Sequence, residues 1–136
     1  MKKLFALLFV IVALQSCSVD DGQNFYFEIL PVEGVVLPDE FVVGQAEQIV
    51  ITYIRPTACH TFNDFYYVPE ENQRTIAVVN TVVTGDCPAG LNQEVEVSFN
   101  FLPLESFDSY VFRFWQGEDD NGEDTYYIVE IPVVPN

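Results

Sequence analysis

The chain has 136 residues, 21 of them acidic against five basic, and a formal charge of −16, a balance that repels phosphate backbones and excludes nucleic acid as a partner. Hydrophobic residues make up 49% and aromatic residues 15%, which excludes a disordered acidic tail and allows one packed core. With a single histidine, no GxSxG signature and no glycine-rich loop opening a helix, no catalytic constellation is legible.

In chain order, Lys2 and Lys3 precede the apolar run Leu4–Leu14 (LFALLFVIVAL). A helix of that length rises about 16 Å, roughly half a bilayer core, so the run suits a signal peptide and not a permanent span. Ser16 then precedes Cys17. The stretch Leu14-Gln15-Ser16-Cys17 resembles the lipobox of bacterial lipoproteins. That resemblance implies a diacylglyceryl group on the Cys17 thiol, cleavage before it and acylation of the new amine. One acyl chain anchors only marginally, whereas two or three on one residue hold firmly. The next residues, Ser18-Val19-Asp20-Asp21-Gly22, resemble the acidic export tag of Bacteroidota-type surface lipoproteins, which implies an outer-membrane protein displayed at the cell surface. A periplasm-facing lipoprotein on a plain solvated tether is the alternative.

The expected division is therefore a signal peptide over 1–16, a lipidated Cys and acidic tether over 17–23, and a folded domain over 24–136. The mature chain keeps Arg55, Arg74 and Arg113 as its only cations against all 21 acids, a formal charge of −18. Its membrane contact is expected through the lipid alone. Setting Cys17 aside leaves Cys59 and Cys87, and an even remainder in an oxidising compartment predicts one disulfide.

Beyond the tether the pattern is strand after strand. Phe25, Phe27 and Ile29 alternate before Pro31, Gly34 and Pro38 interrupt. Gln48–Ile54 and Thr61–Val68 are strands, Pro69–Asn72 is a turn, and Thr75–Thr84 returns beside Thr61–Val68. Cys59 and Cys87 then lie at the open end of that hairpin. Glu94–Phe101 places Val95, Val97, Phe99 and Phe101 on one face and Glu94, Glu96, Ser98 and Asn100 on the other. Short helical turns fit around Leu104–Phe107.

Asn121-Gly122 marks a two-residue hairpin turn. That register sets Phe112 against Ile131, Phe114 against Val129, Arg113 against Glu130 and Trp115 against Ile128. Asp108-Ser109-Tyr110-Val111-Phe112 resembles the start of strand F in immunoglobulin-like domains, which implies a tyrosine corner at Tyr110. The second cysteine of that family is replaced here by Phe112. The fold class expected is all-β: a single immunoglobulin-like antiparallel β-sandwich of about seven strands.

Arg113, Trp115, Tyr126 and Ile128 share the outward face of the final hairpin and form the expected binding patch for a protein or glycan. The loop Gly117–Asp124 is a candidate Ca²⁺ site through Asp119, Asp120 and Asp124, and otherwise a solvated tip; no other cofactor is expected. His60 reads as a loop histidine. The function expected is that of a non-enzymatic, lipid-anchored envelope protein acting as a binding or accessory module. The alternatives are a structural subunit of an envelope assembly and an inhibitor-like domain presenting loops to proteases.

Overall fold

A computed structural model describes residue 22 and residues 24–136. The signal peptide expected over 1–16, Cys17 and the tether, Gly22 apart, lie outside the described residues. Nine strands follow in order: β1 (Phe25–Leu30), β2 (Val32–Val36), β3 (Phe41–Val42), β4 (Glu47–Arg55), β5 (His60–Glu70), β6 (Gln73–Val83), β7 (Gln93–Phe101), β8 (Ser109–Glu118) and β9 (Asp124–Val134). The two strands beyond the expected seven are β2, which Pro31 separates from β1, and the two-residue β3. The stretch Leu104–Phe107 forms a turn and not a helix.

The strands make two sheets, as expected for an all-β sandwich. One contains β2, β4 and β7; the other contains the remaining six. In the larger sheet β5 runs along one edge of β6. The opposite edge of β6 is shared. There β1 pairs antiparallel with Val78–Val83, and β8 pairs parallel with Gln73–Ile76. β9 flanks β8, and β3 pairs parallel with the end of β9. The sandwich is thus mixed, not wholly antiparallel. Alternation locates strands but does not say which distant strands adjoin, and only the folded core decides that β8 lies beside β6.

Because β1 and β8 approach each other head-on along β6, each needs a device to turn away. Pro31 ends β1, having no N–H to donate, and the chain drops into the other sheet as β2. β8 bulges between Trp115 and Gly117. Gly117 is buried beneath Pro31 with φ 101, a conformation that only glycine adopts without strain.

The bulge also corrects the expected hairpin register. Asp119 N–H bonds the Glu123 carbonyl at 2.8 Å and Gly122 N–H bonds the Asp119 carbonyl at 3.0 Å, so the loop is Asp120-Asn121-Gly122, three residues and not two. The Asp119 carboxylate holds it by accepting the N–H groups of Asn121 and Glu123 at 2.8 and 3.0 Å. Loop and bulge each move the register by one residue. Phe112 therefore faces Val129, and Arg113 faces Ile128 instead of Glu130. A shift of two preserves the inward and outward sets, so the faces read from the sequence stand.

The core is the inward row of each strand: Ile49, Ile51 and Tyr53 from β4, Ile76 and Val78 from β6, Phe112 and Phe114 from β8, with Phe41, Phe101 and Ile131. Each such side chain contributes roughly 1.5–3 kcal/mol by leaving water. Tyr110 closes the β7–β8 connection. Its ring is buried, and its hydroxyl accepts the Leu104 N–H at 3.0 Å, the contact that the resemblance to strand F implied. Cys59 and Cys87 are joined in a disulfide across the open end of the β5–β6 hairpin.

Candidate functional site

The side of the six-stranded sheet that faces away from the core is unusually apolar. Cross-strand neighbours point to the same side of a sheet, so pairing sets Trp115 beside Tyr126 and Arg113 beside Ile128. It also sets Ala77 beside Tyr66, and Ile29 beside Val79. Phe27 is 60% exposed, Ile128 58% and Tyr66 52%. Contiguous apolar surface of this kind marks a contact face more often than chance exposure does.

A groove of about 420 Å³ opens in this face. Its floor is made by the small side chains Thr75 and Ala77, and Ile29, Tyr66, Trp115 and Tyr126 rise around them. Glu118 and Asp124 stand at the rim. The rings are held in place: Trp115 Nε1–H donates to Asp124 Oδ1 at 2.8 Å, and the Arg113 guanidinium lies 4.1 Å from the centre of the Tyr126 ring. Anchored rings with hydrogen-bonding groups at the edge suit recognition of another surface or of a sugar ring. The structure thus brings Arg113, Trp115, Tyr126 and Ile128 together on one face. Sequence reading missed Tyr66, Ile29 and the floor residues, which reach the groove through pairings between β5, β6 and β1 that no local pattern encodes.

The acidic loop divides its carboxylates between structural tasks. Asp119 binds backbone N–H groups of its own turn and Asp124 binds Trp115, while Asp120 is exposed. Among the described residues no group of three or more His, Cys, Asp or Glu side chains is placed to hold one metal ion. Nor is any helix among them long and apolar enough to cross a membrane.

His60 is buried and not an exposed loop residue. Its Nε2–H donates to the Glu28 carboxylate at 2.6 Å, and its Nδ1 lies 2.8 Å from the Thr57 hydroxyl, which also accepts the Cys59 N–H at 3.2 Å. These bonds tie β1 to the turn that carries the disulfide. Glu28 lies on the inward row of β1 with Tyr26 and Leu30; a charge on an inward row was the sequence signal for a buried partner.

A second cleft of about 440 Å³ lies between the edges of β5 and β7, where the sandwich opens. Phe65, Tyr67, Phe99 and Phe101 line it, with Arg74 at its base. The Arg74 guanidinium donates to the Glu71 and Gln73 carbonyls and sits 5.0 Å from the Tyr110 ring centre. Burial pushes the Tyr67 phenol above its ordinary value, and the nearby Arg74 charge only partly offsets this.

Compared with protein-family models, with curated proteins and with solved structures, the chain gives no match.

Proposed function

We propose that this chain is a non-enzymatic binding module of the bacterial envelope, moored through acyl chains on Cys17 to the outer membrane and displayed at the surface. Its ligand is a protein or a glycan, engaged by the outward face of the six-stranded sheet. The observation that carries the reading is that face: a groove walled by Tyr66, Trp115 and Tyr126, continuous with exposed Ile29 and Ile128. The resemblance of Leu14–Cys17 to a lipobox supports the anchor. The fixed carboxylates and anchored rings fit recognition, not turnover.

Two experiments test it. Cys17→Ser should move the protein from the membrane fraction to the soluble fraction; retention in the membrane overturns the anchor. A benzophenone amino acid placed at Ile29 or Ile128 in intact cells should form adducts with protein or glycan, and Trp115→Ala with Tyr126→Ala should remove them. The same probe at the exposed Glu33 of β2 should form none. Equal adducts from position 33, or none from 29 and 128, overturn the assignment of the face.

A further inference from the structure

We propose that the free edge of β7 is a receptor for an extended, basic segment of a partner protein, which adds to the three-stranded sheet as a fourth strand. This surface lies in the other sheet from the outward face described above, and the inference does not rest on that face.

The sheets leave several edges unpaired among the described residues, and all but one carry a device against strand addition. β5 bulges between Phe62 and Asp64 and contains Pro69. β1 is only six residues long and is stopped by Pro31, and β2 is five residues long, bulges between Val32 and Gly34, and is preceded by Pro31. β9 contains Pro132, has β3 on its end, and pairs with the bulged β8. Bulges, short strands and prolines are the means by which natural sheets blunt their edges. β7 has none of them. It pairs with β4 in continuous register over nine residues, Gln93–Phe101, without bulge or proline. Alternate residues of that strand direct their N–H and C=O groups away from β4.

Beside this edge lies the cleft walled by Phe65, Tyr67, Phe99 and Phe101. Tyr67 keeps 39% of its surface in water, and its ring is 5.9 Å from that of Phe99. A strand laid on β7 directs every second side chain towards this cleft and the inward row of Val95, Val97 and Phe99. Backbone bonds then supply affinity and the cleft supplies selectivity for apolar alternate residues, the logic of strand addition.

Charge selects the occupant. The outward row of β7 presents Glu94 and Glu96, both exposed. A second copy pairing through its own β7 would bring these acids together, and like charges facing each other across strands are destabilising. The mature chain also has no lysine and only three arginines to offer against them. A segment with apolar residues alternating with Lys or Arg matches both rows at once.

The test uses the full mature chain in detergent micelles and a nine-residue peptide of alternating lysine and valine, read by hydrogen exchange with mass spectrometry. The peptide should slow exchange of about four amides within 93–101, the number that alternation leaves facing outward. A block-ordered peptide of the same composition and one with a central proline should not. Glu94→Lys with Glu96→Lys, both on exposed positions, should weaken the lysine peptide about five-fold and favour a glutamate–valine peptide, from two cross-strand charge pairs. Protection at the edge of β5 or β9 instead, or none at millimolar peptide, overturns the proposal. So does protection of 93–101 that rises with protein concentration alone, which would make a second copy the occupant.

Discussion

The centre of the sandwich contains one polar pair whose balance can be worked out. Tyr53 on β4 is 1% exposed and Asn80 on β6 is 0% exposed, and the Tyr53 hydroxyl donates to Asn80 Oδ1 at 3.2 Å. Asn80 Nδ2 is buried with no partner. Tyr53→Phe removes the donor and leaves both ends of the Asn80 amide unsatisfied. An abandoned buried polar group costs about 1–3 kcal/mol. Asn80→Val leaves the Tyr53 hydroxyl alone but removes the orphaned Nδ2, so the two effects offset and the net change is close to zero. A β-branched residue also suits a strand. The double variant removes every unsatisfied group and should be at least as stable as the wild type, recovering about 1–3 kcal/mol relative to Tyr53→Phe alone. Urea denaturation reads this directly. With slopes of about 1–3 kcal/mol per molar, the Tyr53→Phe midpoint should fall by about 1 M and the double variant should regain it. Additive midpoints, with no recovery, would refute the reasoning, because groups in direct contact must couple.

Three further outcomes are expected. Replacing Cys59 and Cys87 together by serine should lower stability by about 3–4 kcal/mol in urea, from the loop entropy of a sequence separation of 28; a loss under about 1 kcal/mol would mean the reduced chain is already closed there. Tyr110→Phe should lose about 1 kcal/mol, since the Leu104 N–H forfeits its acceptor at the β7–β8 corner, and a neutral urea midpoint would show that the corner is held by packing alone. Burial holds both Tyr53 and Tyr67 above the ordinary phenol value. In the unfolded chain these phenols ionise near pH 10 while the folded chain keeps its protons. Stability should therefore be complete below about pH 10 and fall as pH rises above it. An ultraviolet phenolate titration should find these two lagging, and a single uniform step would contradict it.

Much of this fold was legible because it is written in alternation. Val95 to Phe101 on one side and Glu94 to Asn100 on the other is a period of two, and β7 obeys it residue for residue. Tyr110 was legible from its place two residues before an inward Phe. The hairpin register was not, because two local devices override the Asn-Gly signal: the Asp119 carboxylate enlarges the turn, and Gly117 adds a bulge where β8 meets Pro31. The first is short-range side-chain chemistry, but the second answers to a residue 86 positions earlier. The parallel contact of β6 with β8 is likewise non-local, and the groove inherits that. Trp115 and Tyr126 were visible as a pair of outward-facing aromatics, whereas Tyr66 and Ile29 join them only once the strand order is fixed.

The disposition of the three arginines bears on how so acidic a body meets its surroundings. Arg55 donates to the His60 carbonyl and the Gln93 side chain, Arg74 to two carbonyls above Tyr110, and Arg113 lies on Tyr126. Among the described residues no arginine lies within 4 Å of a carboxylate, and the one such contact of a basic side chain is that of His60 with Glu28. The arginines are thus bound to rings, backbone and one amide side chain, and almost none of the acidic charge is cancelled by pairing. The excess acts as a field over the whole surface, reaching about 8 Å at physiological salt. Such a field opposes approach to anionic lipid and to copies of the same acidic surface. It draws a cationic partner from solution. Binding at β7 should therefore weaken steeply with added salt, while contacts in the ring-walled groove, where burial of apolar surface dominates, should scarcely respond.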